Sequence, residues 1–239
     1  ATNWTEMSTL GAPSSRKNHS AVWSGSKMFI FGGADASLSN SGGVYDPTTD
    51  SWSSISTLDA PIARQRHSAV WLANQMFIFG GEAGSAVNTG GLYDPVTDRW
   101  TGSSTVLAPS RRKNHTAVWT GQKVFVYGGS NGVACFNDGA LYDPFADEWN
   151  GISTLAAPRP RENHTATWTG NQSVIFGGED GGTFLNSGGI YDPNANDWLA
   201  TSTIGAPEVR TTHTSVWTGN KMLVFGGFAN AVVNTGGVY

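Results

Sequence analysis

A single cysteine, Cys135, excludes any disulfide within the chain, so packing has to hold the core. Charge is scarce as well: Asp, Glu, Lys and Arg make up 13% of the 239 residues. The formal net charge of -4 argues against nucleic acid, whose partners carry a basic footprint. No apolar run approaches the roughly 18 residues that a membrane-spanning helix needs, and no segment keeps a helical period. The sequence opens at Ala1 without a charged-then-apolar leader, which suggests a processed or trimmed form. What is abundant points elsewhere. Aromatic residues reach 11%, including ten Trp, too many for a disordered chain. Thirty-one Gly and ten Pro imply many tight turns.

The ten Trp fall into two series. Trp4, Trp52, Trp100, Trp149 and Trp198 form one; Trp23, Trp71, Trp119, Trp168 and Trp217 form the other. Both step by 48, 48, 49 and 49 residues. His19, His67, His115, His164 and His213 keep the same step, as do Pro13, Pro61, Pro109, Pro158 and Pro207. Five copies of one structural unit span residues 1–239 as a single domain.

Each unit reads as four short strands. In the first copy these are His19 to Trp23, Met28 to Phe31, Gly42 to Tyr45, and a strand centred on Trp52. A turn at Ser24-Gly25-Ser26, a variable loop after Gly32-Gly33, and an Asp46-Pro47 turn separate them. A four-stranded unit of about 50 residues is the signature of a propeller blade. One such sheet cannot bury both its faces alone, so neighbouring copies must cover them.

These features resemble the Kelch family. The glycine pairs are Gly32-Gly33, Gly80-Gly81, Gly128-Gly129, Gly177-Gly178 and Gly226-Gly227. Tyr45 and Trp52, Tyr93 and Trp100, Tyr142 and Trp149, and Tyr191 and Trp198 are each separated by six residues, as that family's motif requires. The wording of the repeat, with Ala-Pro, Arg-x-x-His and Ala-Val-Trp, is closer to bacterial members. The resemblance implies an all-β propeller of four-stranded blades, and the five copies set the expected number of blades at five. The fifth copy lacks a fourth strand, and Thr2-Asn3-Trp4 matches Asp50-Ser51-Trp52. The N-terminal strand is therefore expected to supply the outer strand of the last blade and close the ring, leaving no open edge.

Chain direction sends the loops after the second strands and before the first strands to one face, here the upper one. These loops differ between copies: residues 34–41, 82–89, 130–138, 179–187 and 228–235. The lower turns are nearly uniform. Binding residues concentrate on loops held by a rigid scaffold, which favours the upper face. Arg16, Arg64, Arg112, Arg161 and Arg210 each stand three residues before a repeat histidine and would surround the upper channel mouth. Guanidinium forks suit carboxylates and phosphates, so the five are candidate ligand-binding residues for a small anion, an acidic sugar or an acidic peptide. The resemblance favours that use; the competing reading has each arginine bonding loop carbonyls of its own blade.

The five histidines would lie too far apart to converge on one metal ion, and each is expected to bond within its own blade. Asp46, Asp94, Asp143 and Asp192 precede Pro and should cap their turns. Galactose oxidase shares the Kelch fold, but its copper needs Tyr and His ligands. Here every His, and every Tyr but Tyr127, is a repeat position. Neither metal nor cofactor is expected. Cys135, in the third variable loop, reads as a small hydrophobe.

The sequence thus favours a non-catalytic, monomeric binding module with a protein or a small anionic or carbohydrate ligand on its upper face. One alternative is a carbohydrate-acting enzyme, epimerase-like or mutarotase-like, drawing on Glu82, Glu179, Asp180, Asp35 and Asp138. Another is a lectin with repeated sites near Asn40, Asn88, Asn137, Asn186 and Asn234. Low charge and Ser/Thr/Gly-rich blades fit a bacterial envelope or extracellular setting.

Overall fold

The computed structural model describes residues 3–239. Among them there are 21 strands and no helix. Numbered in chain order, the first sheet holds β1 (Ser20–Trp23), β2 (Met28–Phe31), β3 (Gly42–Asp46) and β4 (Ser51–Ser54). The second holds β5 (Ser68–Trp71), β6 (Met76–Phe79), β7 (Gly90–Asp94) and β8 (Arg99–Gly102). The third holds β9 (Thr116–Trp119), β10 (Val124–Tyr127), β11 (Gly139–Asp143) and β12 (Glu148–Gly151). In the fourth, β13 (Thr165–Trp168) and β14 (Ser173–Phe176) precede a small hairpin, β15 (Glu179–Asp180) and β16 (Thr183–Phe184). Its remaining strands are β17 (Gly188–Asp192) and β18 (Asp197–Ala200). The fifth holds β19 (Thr214–Trp217), β20 (Met222–Phe225) and β21 (Gly236–Val238).

Each sheet is an antiparallel meander in chain order, as in a propeller blade. The fold class is all-β, with five such blades, the first four of four strands and the fifth of three. The chain divides into two compact units. One contains the first two blades; the other contains the last three together with residues 85–88.

Register follows the repeat. Tyr45 of β3 sits opposite Trp52 of β4, and Tyr142 opposite Trp149 in the third blade. The two aromatic rings lie 5.1 and 4.8 Å apart in these pairs. The indole N–H of Trp149 donates to the Ser104 carbonyl at 2.9 Å, so the chain entering a blade is fastened to that blade's outer strand.

The second strand of each blade is the core strand. It is apolar at every position but Ser173 of β14, and in β6, β10 and β14 all four positions are buried. In the first unit Phe29 and Phe31 pack with Met76, Ile78, Tyr93 and Trp100. In the second, Phe125 and Tyr127 pack with Ile175, Tyr191 and Trp198, and Val174 and Phe176 pack with Met222 and Val224. Burying each such side chain contributes about 1.5–3 kcal/mol.

The last blade departs from the expectation. Its fourth strand is not present among the described residues. Thr2 lies outside them, Asn3 and Trp4 belong to no strand, and the Trp4 side chain is fully exposed. The segment that follows is fastened to the first blade: Ser8 N–H donates to Asp50 Oδ1 at 2.9 Å, and Trp52 Nε1 donates to Ser8 O at 2.9 Å.

Candidate functional site

The repeated arginines sit in the segment before each first strand. The residue after each pairs with the start of that blade's upper loop, as Lys113 does with Ser130 and Glu162 with Glu179. Arg161 shows the pattern. Its Nε donates to Arg159 O at 3.1 Å; Nη1 donates to Gly177 O at 2.7 Å and Ser187 O at 2.8 Å; Nη2 donates to Ser187 Oγ at 3.3 Å. Gly177 and Ser187 are the two ends of the upper loop, so one guanidinium ties the loop at its base. Arg64 does the same at Gly80 and Thr89, and Arg210 at Gly226 and Thr235. Arg112 ties Gly128 to Asp138 and adds an ion pair of 2.7 Å with the Asp138 carboxylate.

Arg64, Arg112, Arg161 and Arg210 are 0% exposed, while Arg16 is half-buried with equivalent bonds to Gly32 and Ser41. Burial lowers the pKa of Arg64 and Arg161 to about 10, which leaves both charged at neutral pH. The side chains expected at a ligand surface therefore point their donors into their own loops, the arrangement that the competing reading described.

The histidines make the next layer. His67 Nε2 lies 2.8 Å from Ser20 Oγ, His164 Nε2 2.9 Å from Thr116 Oγ1, and His213 Nε2 2.9 Å from Thr165 Oγ1. Each partner belongs to the preceding blade rather than to the histidine's own, so these residues join blades. Burial pushes the pKa of His213 down to about 4 and that of His164 well below the usual value.

The Asp-Pro aspartates cap their turns as expected: Asp143 Oδ1 accepts Phe145 N–H at 3.0 Å, and Asp46 Oδ1 accepts Thr48 N–H at 2.9 Å. A second acidic position escaped the sequence reading. Asp147 Oδ1 accepts the Tyr142 hydroxyl at 2.7 Å and the Ser104 N–H at 2.7 Å. Asp50, Asp98 and Asn196 take the same role. Its signal was available, since an Asp or Asn stands two residues before each of these four outer-strand Trp.

The carboxylates of the variable loops are all engaged. Glu179 Oε1 accepts from Asn163 Nδ2 at 3.0 Å and Thr211 Oγ1 at 3.2 Å. Asp180 pairs with Arg159 at 2.9 Å, Asp35 accepts from Ser15 Oγ at 3.1 Å, and Glu82 Oε2 accepts from Gln65 Nε2 at 3.3 Å. Glu162, not singled out in the sequence, accepts from Asn114 Nδ2 at 2.8 Å and Ser130 Oγ at 2.9 Å. Cys135 lies beside it, its thiol pKa raised chiefly by burial. Asn40, Asn88, Asn137 and Asn186 are half-buried at the loop ends, and Asn234 is exposed.

One concavity on the upper loops of the second unit has an open cation. A groove of about 420 Å³ is lined by Ser85, Ala86, Ser110, Arg111, Asn131, Val133 and Phe136. Arg112 lies under its floor, stacked 4.8 Å from the Phe136 ring. Asn131 Oδ1 shapes the loop tip by accepting the N–H groups of Val133 and Ala134, both at 2.9 Å. Val133 is 94% exposed at that tip. Arg111 is exposed and makes no ion pair or hydrogen bond among the described residues.

A family model, the KLHDC2/KLHL20/DRC7 Kelch-repeats domain, matches residues 1–157 and 93–238. The chain belongs to the Kelch-repeat family. The two overlapping matches cover all five repeats, in keeping with the glycine pairs and the Tyr–Trp spacing. Kelch domains commonly mediate protein interactions. No curated protein sequence matches the chain.

Proposed function

We propose that this Kelch domain is a non-catalytic binding module that takes its partner on the upper loops, in the groove between Arg111 and Phe136. The partner is a protein segment or small ligand that carries an anionic group beside an apolar one. Arg111, exposed and unpaired next to the apolar tip residue Val133, carries this reading. In this account the repeat arginines act on the partner indirectly, by holding the bases of the loops. A guanidinium that already donates to four loop acceptors has little left for a ligand.

A carbohydrate partner is the second reading. It is favoured by a cavity of about 320 Å³ at the lower turns of the third and fourth blades, where Trp168 stands among Gln122, Asn171 and Asn194. An aromatic face with flanking amides suits an uncharged polyol.

A thermal-shift screen with acidic peptides, small anions, and acidic and neutral sugars separates the two, because a ligand that binds only the folded state raises Tm. The first reading expects acidic peptides or anions to raise Tm and Arg111→Ala to remove the response. A response confined to neutral sugars and lost in Trp168→Ala supports the second reading and overturns the first.

A further inference from the structure

The chain has two Asn-Gly pairs, Asn131-Gly132 and Asn150-Gly151. Such a pair matters because glycine, lacking a Cβ, lets its nitrogen approach the preceding carboxamide. The two pairs sit in opposite settings. Asn150 and Gly151 are held in β12, opposite Leu141 and Ala140 of β11. Asn131 and Gly132 are exposed at the tip of the third upper loop and belong to no strand. Gly132 has a φ of 91°, and a Cβ there would meet only Lys113 Nζ, at 4.0 Å.

The surroundings of the exposed pair are polar and directed. Asn131 Oδ1 accepts the N–H groups of Val133 and Ala134, both at 2.9 Å. The Gly132 N–H donates to Ser130 Oγ at 3.4 Å. That hydroxyl donates in turn to Glu162 Oε2 at 2.9 Å. Ser130 is buried and Glu162 half-buried, so a line of hydrogen bonds runs from the Gly132 nitrogen down to a carboxylate beneath the loop.

Attack of an amide nitrogen on a neighbouring carboxamide needs these parts. The nitrogen becomes a nucleophile when a base takes its proton, and Ser130 with Glu162 offers that path. Charge then develops on the carboxamide oxygen, where two N–H donors already point.

We propose that Asn131 is a self-modifying site: the folded chain deamidates there, with Gly132 N as nucleophile, Ser130 and Glu162 as proton relay, and the Val133 and Ala134 N–H groups as oxyanion donors. The bond from Gly132 N to Asn131 Cγ forms, and the displaced proton passes through Ser130 Oγ to Glu162. The relay returns it to the side-chain nitrogen, which leaves as ammonia when its bond to Cγ breaks. Water opens the cyclic imide. Attack at Cγ gives aspartate at position 131; attack at the backbone carbonyl carbon gives isoaspartate, with the chain running through the β-carbon. The net change consumes one water and releases one ammonia. Asn131 and Arg111 line the same groove, so the product adds a carboxylate to the cavity that holds the unpaired guanidinium. On the reading in which Arg111 receives an anionic group, on which this consequence rests, deamidation closes the site to its partner as the protein ages.

The test is peptide mapping by mass spectrometry of the full chain aged in mildly alkaline, weakly buffered solution. The amide-to-acid mass gain is followed at Asn131 and Asn150. Asn131 is expected to convert first, to aspartate and isoaspartate together, while Asn150 stays an amide until urea unfolds the chain. Glu162→Gln and Ser130→Ala are each expected to slow conversion of Asn131 by about tenfold or more; Ser130→Ala serves alone if Glu162→Gln unfolds. Added imidazole is expected to restore the rate in Ser130→Ala and to leave the wild type unchanged, a response that a merely structural role would not give. An Asn131 that converts no faster than Asn150 in the folded chain overturns the proposal, and wild-type rates in the variants overturn the relay. Thermal shift with oligoglutamate, on fresh wild type and on Asn131→Asp, separates the consequence from the chemistry. Fresh protein is expected to respond and Asn131→Asp to lose the response. A full response in Asn131→Asp overturns closure of the groove; no response in fresh protein overturns the Arg111 reading, while the mass data still decide the modification.

Discussion

Nε2 of His164 lies 2.9 Å from the hydroxyl of Thr116, the residue that follows the equivalent histidine, His115, of the preceding blade. Like His67 and His213, His164 acts as a rivet between blades, and burial favours its neutral form.

That neutrality sets a pH dependence. The folded-state pKa values of His67, His164 and His213 are depressed, to about 3 for His67 and about 4 for His213, against about 6.5 in the unfolded chain. Below the unfolded value the unfolded chain binds more protons, so stability is full above about pH 6.5 and falls as pH drops toward 4. Each buried histidine adds at most about 1.4 kcal/mol per pH unit to that slope. Urea unfolding followed by Trp fluorescence from pH 7.5 to 4.5 is expected to show the decline, and His213→Gln to make it shallower.

The first glycine of three pairs, Gly32, Gly128 and Gly177, meets the next blade's histidine. Gly128 has φ of 65°, and a Cβ there would stand 2.6 Å from His164 Cε1 and 2.8 Å from Arg161 O. Gly128→Ala thus combines backbone strain with a collision against the joint. A loss of roughly 2–4 kcal/mol is expected from the midpoint of denaturant unfolding. Gly121→Ala provides the contrast: φ is 93° but nothing lies within 4 Å of the added carbon, so only the backbone cost remains.

Asp147 joins the Tyr142 hydroxyl to the Ser104 N–H and has a φ of 55°. Asn196 holds the same place in the fourth blade, with φ of 52°, accepting from Tyr191 at 2.9 Å and from Ser153 N–H at 2.8 Å. Asp147→Asn is therefore expected to leave Tm nearly unchanged. Asp147→Ala removes the acceptor and strains the turn, costing roughly 1–2 kcal/mol by thermal unfolding.

Much of the fold was legible because duplication repeats the same instruction five times. The step shared by Trp23, Trp71, Trp119, Trp168 and Trp217 gives the strand count and order without any long-range information. Asp46 and Asp143 showed their turns through the following Pro. The partner of each histidine was not legible: equal spacing does not tell a bond within a blade from one to its neighbour, and His164 chose Thr116. The repeat arginines were ambiguous for a related reason, since donors that suit a ligand suit loop carbonyls equally. The likeness of Thr2-Asn3-Trp4 to Asp50-Ser51-Trp52 gives propensity without a partner, and Asn3 and Trp4 lie in no strand. Arg111 carried no repeat signal, and only its exposure beside Val133 and Phe136 distinguishes it.

The central claim is a division of labour: Arg161 and its equivalents hold the loops, while Arg111 meets the partner. Thermal unfolding of the wild type, Arg161→Ala and Arg111→Ala, each with and without the best acidic ligand from the screen, tests it most directly. The account predicts that Arg161→Ala loses roughly 2–4 kcal/mol of stability by stranding the carbonyls of Gly177 and Ser187. Arg111→Ala keeps the wild-type Tm and loses the ligand response. An Arg161→Ala chain that unfolds at the wild-type temperature yet no longer responds to ligand would contradict it.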